Sequence, residues 1–459
     1  MSDIMKVEVV SREIIKPLSP TPNHLKTFNL SFLDQLSPPI YVPIILFYPI
    51  DCKNDCKSTI ESIRGNLKKT LAHTLTKYYP LAGRIKDGSF VECNDDGVDY
   101  VEANVYDING GISEIIQNPD GDILKKLLPF DPYGVEGYNT KVLLSIRINV
   151  LEENCGGIVI GICISHKIGD GSSLTTFIND WAAAARKNPS EQIKGPQFDL
   201  PSLFPLRDLK GYIPPSAGAE MVEEIVTKKF VFEGSKITEL KKKGIVNGGN
   251  NDDDDVKKYP SRVEAVSAFI WRRVIGLDQA KKQGGDSNNE APVTVYGSLH
   301  AVNMRSRMNP PLPSNSFGNM YTTTMAFSII NNHADEEEKL GHYQLPNLVE
   351  KVKESIKKID SEYVKKVQTT DELLNSMKHL ATGHQMVMLS FSSWCRFPIY
   401  EADFGWGKPI WVTTSTFPFK NVVVFMDTKS GDGIEAWVNM TKDDMAAFER
   451  DQELLQYVS

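Results

Sequence analysis

The run Gly157-Ile158-Val159-Ile160-Gly161-Ile162-Cys163-Ile164 is the most restrictive stretch of the chain. It carries no charge, is rich in β-branched residues and has the length of a strand, far short of the roughly 18 apolar residues a membrane helix needs. A buried strand is the element it fits. Ser165-His166-Lys167-Ile168-Gly169-Asp170-Gly171 follows at once, and Ser172 to Arg186 then reads as a helix. A histidine therefore stands where a buried strand turns into a helix. Gly169 and Gly171 allow unusual dihedrals in that turn, and neither adds a side chain that would crowd a ligand approaching the imidazole.

An isolated histidine is more often structural than catalytic, because imidazole packs well and finds partners easily. The setting here favours a functional one. A general base needs a second group to position it, and Asp170, four residues on, can hold the ring or brace the turn. A metal held by His166 and Asp170 lacks a third ligand at suitable spacing, so no metal is expected. Cys163 as a nucleophile with His166 as its base is a further arrangement, although a thiol at that strand position is expected to point into the core.

The 459 residues are long for one core and imply two domains. A net charge of -8 leaves no dominant basic surface and argues against nucleic acid, so an anionic ligand would need a local basic pocket. Met1 to Val10 interleaves charges with apolar residues, and no later stretch is long and apolar enough for a membrane span. A cytoplasmic chain is expected, with the six cysteines (52, 56, 93, 155, 163 and 395) as reduced thiols.

Strand patterns fall at Lys6 to Lys16, Val42 to Tyr48, Val142 to Val150, Glu223 to Phe232 and Val293 to Val302. Phe90 to Cys93 and Val98 to Ala103 read as a hairpin over Asn94-Asp95-Asp96-Gly97, and Phe317 to Ile329 as a threonine-rich strand. Lys57 to Tyr78 has helical spacing and is stopped by Pro80. Asn29 to Leu36 is a short helix candidate, closed by Ser37-Pro38-Pro39. Between Ala185 and Pro215 the periodicity dissolves among prolines, which sets the expected boundaries at 1–187 and 221–459 with a crossover loop at 188–220. The acidic run Asp252 to Asp255 lacks the spaced ligands of a calcium loop and reads as a solvated loop. Ser261 is a candidate N-cap with Glu264 in the capping-box position, and Lys257, Lys258 and Arg262 beside it make a cationic helix start that favours phosphate.

His166-Lys167-Ile168-Gly169-Asp170-Gly171 resembles the HxxxDG motif of the BAHD family of plant acyl-CoA-dependent acyltransferases. Asp403-Phe404-Gly405-Trp406-Gly407-Lys408-Pro409 is similar to the family's second signature, DFGWG. HxxxD alone is weak; both motifs in this order and at this separation are a strong signal. Tyr79 to Arg84, Ser261 to Trp271, Asn303 to Arg307 and Phe317 to Asn319 extend the resemblance to nearly the whole chain.

The resemblance implies an α/β fold of two similarly sized chloramphenicol acetyltransferase-like domains, mixed sheets flanked by helices, with a solvent channel between them. It puts the HxxxDG motif in the first domain and DFGWG in the second. His166 would deprotonate a hydroxyl or amine acceptor as it attacks an acyl-CoA thioester, and then return a proton to the departing thiolate. Asp170 would pair with Arg305 or Arg307. Asp403 would be a second catalytic group or a brace for the loop, in which Gly405, Trp406 and Gly407 are structural along with Gly171. Coenzyme A would lie near Lys257, Lys258, Ser261 and Arg262, and the oxyanion donor would come from Thr413 to Thr416. The expected co-substrate is acetyl-CoA, with no permanently bound cofactor, and the acceptor a monoterpene indole alkaloid, as in the vinorine synthase-like group. A malonyl donor met by Lys420, a catalytically silent binder and a thioester hydrolase are the alternatives. A monomer is expected.

Overall fold

The structure is a computed structural model describing residues 5–50, 56–107, 111–134, 141–151, 156–186, 194–209, 224–245, 259–283, 293–371, 373 and 385–459. Its contacts divide the chain into two compact units. The first comprises Met1–Glu220, Leu312–Met320 and Phe397–Thr416; the second comprises Met221–Pro311, Tyr321–Arg396 and Phe417–Ser459. The boundaries expected from sequence are contiguous, whereas these are not. Two downstream segments return to the first unit, and Asp403 to Pro409 belongs with them.

The strands of the first half are β1 (Lys6–Ile15), β2 (Thr27–Asn29), β3 (Tyr41–Tyr48), β4 (Arg84–Lys86), β5 (Phe90–Glu92), β6 (Val98–Tyr106), β7 (Leu144–Leu151) and β8 (Gly157–Ser165). Those of the second half are β9 (Ile225–Phe232), β10 (Val293–Asn303), β11 (Tyr321–Asn331), β12 (Gln385–Ser393), β13 (Trp411–Thr413), β14 (Val422–Asp427) and β15 (Ile434–Thr441).

In the first unit a six-stranded sheet runs β1-β6-β7-β8-β3-β13, parallel only between β6 and β7. Every residue of β3 and β8 is buried, as their unbroken apolar runs require. Helices α1 (Phe32–Leu36), α2 (Cys56–Lys77) and α3 (Gly171–Ala185) belong to this unit. The indole of Trp181 in α3 donates to Leu67 O of α2 at 3.2 Å, so its buried N–H is satisfied where the two helices meet.

In the second unit the sheet runs β11-β10-β12-β14-β15-β9, parallel at β10-β12 and β12-β14. Two helices, α4 (Arg262–Gln283) and α5 (Leu345–Lys357), contribute Val266, Phe269, Ile270, Trp271, Leu348 and Val352 to a core shared with Phe391, Phe425 and Val438. Both sheets are mixed and flanked by helices, as the sequence implied.

Three local expectations are corrected. Phe90 to Ala103 is no hairpin, since β5 pairs with β2 and β4 while β6 pairs with β1 and β7. The side chain of Asp95 is turned instead to the N–H and hydroxyl of Thr21 and the ammonium of Lys26, which carries the chain from one sheet to the other. The threonine-rich strand begins at Tyr321 rather than Phe317. Cys56 is disulfide-bonded, not a reduced thiol, whereas Cys93, Cys163 and Cys395 are free. Asp252 to Asp255 lies outside the described residues.

Candidate active site

β8 ends at Ser165, and the backbone N–H of His166 donates to Ile40 O just before β3, at 2.8 Å. That bond fixes the chain where it leaves the sheet. Asp170 is the N-cap of α3, and its Oδ1 accepts from the N–H of Ser173 at 2.9 Å. Its Oδ2 accepts from the N–H of Met320 at 3.0 Å, so the carboxylate joins the turn to a segment 150 residues away. Bracing the turn is therefore what Asp170 visibly does.

Neither Gly169 nor Gly171 has a positive φ, so neither uses the freedom that glycine allows. Gly169 stands in a crowded place, where a Cβ would lie 3.2 Å from that of Ser173 and 3.4 Å from the ring of Phe317. Gly171 opens α3 as its first residue. The left-handed glycine is Gly318, with φ at +132°, where a Cβ would meet Leu200 at 2.6 Å.

Phe317-Gly318-Asn319-Met320 is clamped against this turn. The hydroxyl of Ser173 donates to Gly318 O at 2.8 Å and accepts from its N–H at 3.0 Å. Asn319 is fully buried, and its Oδ1 lies 2.9 Å from Nδ1 of His166. Its Nδ2 donates to His166 O at 2.7 Å and to Oδ1 of Asp34 at 2.8 Å. Asp34 in turn sits in α1, where Ser31 and Asp34 form a capping box. Lys167 places its ammonium at the end of α1, 2.8 Å from Gln35 O.

Burial lowers the pKa of His166 below 6.5; Asp170 and the bond to Asn319 oppose the shift, and Lys167 adds to it. The imidazole is thus favoured in its neutral form. Cys163 is fully buried, and burial pushes its thiol well above the ordinary range, which leaves no thiolate for nucleophilic attack.

Asp403 acts on its own loop. Its Oδ1 accepts from the N–H of Gly405 at 2.8 Å and of Gly407 at 3.0 Å. Those glycines have φ of +107° and +110°, and between them Trp406 stacks on Phe404 with ring centroids 5.5 Å apart. Phe404 meets Trp181 edge-on at 4.9 Å, so the loop is seated on α3. The hydroxyls of Thr413, Thr414 and Ser415, candidates for the oxyanion donor, donate to backbone carbonyls.

The remaining candidates lie in the second unit. Ser261 and Glu264 form the expected capping box at the start of α4. Arg262 pairs with Asp427 at 2.9 Å and also donates to Gly431 O. Lys257 and Lys258 lie outside the described residues. Arg305 is buried beside Asn303, and Arg307 donates to Ile356 O and Ile359 O at the end of α5. Among the described residues no cluster of His, Cys, Asp and Glu could hold a metal, and no helix is long and apolar enough to cross a membrane.

Sequence reasoning placed Asp34 in the short helix candidate and Asn319 in the family-like segment, and gave neither a role. The one local signal for Asp34 was the spacing Ser31-x-x-Asp34, a capping-box pattern.

The family profile described as "Transferase family" matches residues 5–455. Stemmadenine O-acetyltransferase of Catharanthus roseus is 40% identical over 97% of each chain. Limonoid 21-O-acetyltransferase of Melia azedarach is 38% identical over 99% of each. The crystal structure of vinorine synthase superposes with a TM-score of 0.78 at 37% identity, covering 99% of both chains.

Proposed function

The chain belongs to the BAHD family of plant acyl-CoA-dependent acyltransferases, and on that premise we propose that it transfers an acetyl group from acetyl-CoA to a hydroxyl of an alkaloid, with His166 as general base. The observation that carries this reading is the imidazole at the strand-to-helix turn, its Nδ1 held 2.9 Å from Oδ1 of Asn319, where burial disfavours the charged form. His166 takes the proton of the acceptor hydroxyl while the oxygen attacks the thioester carbonyl. Collapse of the tetrahedral intermediate breaks the C–S bond, and the same proton goes to the leaving sulfur, so the products are an ester and coenzyme A. General-base help of this kind contributes about 10²- to 10⁴-fold.

Asp170 and Asp403 support the site in this reading without moving a proton. The phosphates of coenzyme A are assigned to Lys257, Lys258, Ser261 and Arg262 from their order in the sequence, three cations and a capping serine leading into the run that forms α4. The acetyl donor is favoured because the named relatives are O-acetyltransferases. A second acceptor class has a specific reason behind it. A limonoid acetyltransferase matches this chain about as well as the stemmadenine enzyme does, 38% against 40% identity. The enzyme is taken to act as a monomer in the cytosol.

The test is mass spectrometry of products from purified protein offered acetyl-CoA or malonyl-CoA with indole-alkaloid alcohols and limonoid alcohols. An acetylated alkaloid is the expected product. An acetylated limonoid alone would move the acceptor to the second class, a malonylated product would replace the donor, and acyl-CoA binding with no product from any pair would contradict the enzyme reading.

A further inference from the structure

Asp34 offers only acceptors to its surroundings, and four donors converge on it. Its Oδ2 takes the N–H of Ser31 at 2.8 Å and the Ser31 hydroxyl at 2.7 Å, and its Oδ1 takes the N–H of Asn319 at 3.0 Å and the Asn319 amide Nδ2 at 2.8 Å. The carboxylate is 2% exposed and Asn319 is 0% exposed, so water cannot substitute for either partner. A carboxylate can satisfy only the NH₂ end of an amide, and His166 O, on the same side, requires a donor too. The amide of Asn319 therefore has one allowed orientation, with Oδ1 facing His166.

That orientation reaches the imidazole. An amide oxygen has no proton to give, so Nδ1 of His166 at 2.9 Å has to be the donor. A neutral ring with its proton on Nδ1 carries its basic lone pair on Nε2.

We infer that Asp34 is a positioning residue for the transfer reaction: through the amide of Asn319 it fixes the neutral imidazole of His166 as the Nδ1–H tautomer and makes Nε2 the proton acceptor. The inference rests on reading His166 as the general base. Burial raises the pKa of Asp34 above its ordinary value while the four hydrogen bonds pull it down, so loss of this buried anion at low pH would remove the constraint from Asn319 as well.

The experiment is a long-range ¹⁵N–¹H correlation spectrum of the imidazole nitrogens in full-length protein labelled at histidine, recorded near pH 8, with His166→Gln used to assign the signal. Wild-type His166 is expected with a protonated Nδ1 and an unprotonated Nε2. Asp34→Asn frees the amide of Asn319 to turn. It is expected to give a mixture of tautomers and a kcat lower by about 10²-fold, with the dissociation constant of acetyl-CoA unchanged.

The variant Asn319→Ala takes the acceptor away from Nδ1 and leaves the contacts of Asp34 with Ser31 in place. It is expected to give the same mixture of tautomers and a similar fall in kcat, with the dissociation constant of acetyl-CoA unchanged. This variant keeps the test decisive should Asp34→Asn fold poorly. A wild-type ring protonated on Nε2 would overturn the inference. So would Asp34→Asn with an intact Nδ1–H signal and wild-type kcat, or a folded Asn319→Ala that keeps the Nδ1–H tautomer in full. None of these spectra depends on turnover, so a His166→Ala enzyme that still turned over would count against the base reading and leave the tautomer result standing.

Discussion

His166 meets opposing influences on its charge. Burial is the largest and disfavours the imidazolium; Asp170 and Asn319 favour it, Lys167 disfavours it, and the net pKa is below 6.5. The base form is the neutral one, so kcat/KM is expected to fall as pH drops through that lowered pKa and to stay level through neutrality. A pH–rate profile from about 4.5 to 8.5 checks this, and an acid limb centred at or above the ordinary 6.5 would contradict it. At this scale the sequence announced His166 and Asp170, because strand, turn and N-cap are local patterns. It did not announce the contact of Asn319 with Asp34, since 285 residues separate them and no local pattern encodes the pairing.

At the level of elements, the site hangs on how α1, α3 and the Phe317–Met320 segment are tied to the end of β8. Asp170→Ala removes the cap of α3 and leaves the N–H of Met320 unpaired, for a loss of about 1–3 kcal/mol in chemical unfolding. Gly318→Ala should lose a similar amount, about 1–3 kcal/mol, because its φ of +132° and the contact with Leu200 both oppose a side chain. Asp403→Ala separates the two readings of DFGWG. A brace lost from Gly405 and Gly407 lowers the melting temperature while kcat falls by less than about tenfold, whereas a catalytic group would cost about 10²- to 10⁴-fold. Long periodic elements such as α2 and α4 were legible from spacing alone. The path from β5 to β6 was not, because the partners of Asp95 are Thr21 and Lys26, about 70 residues earlier in the chain.

Over the whole molecule, chain order and spatial order part company. The first unit is completed by Leu312–Met320 and Phe397–Thr416, so a fragment ending at Glu220 would lack β13 beside β3 and the donor from Met320 to Asp170. Such a fragment is expected to give a poorly dispersed NMR spectrum when expressed alone; a dispersed, cooperatively unfolding fragment would contradict that view. Sequence reasoning saw two domains and drew contiguous limits, because periodicity marks where elements lie and not which sheet they join. The family and the acyl-transfer chemistry were legible from two short motifs; the acceptor was not, since relatives named for alkaloid and limonoid substrates match this chain about equally well. The measurement that bears most directly on the central claim is release of free coenzyme A thiol from acetyl-CoA, with and without an acceptor alcohol, by wild type and His166→Ala. Acceptor-dependent release that drops by about 10²-fold or more in the variant is the result this account predicts. Equal release by both proteins, or release that needs no acceptor, would contradict it.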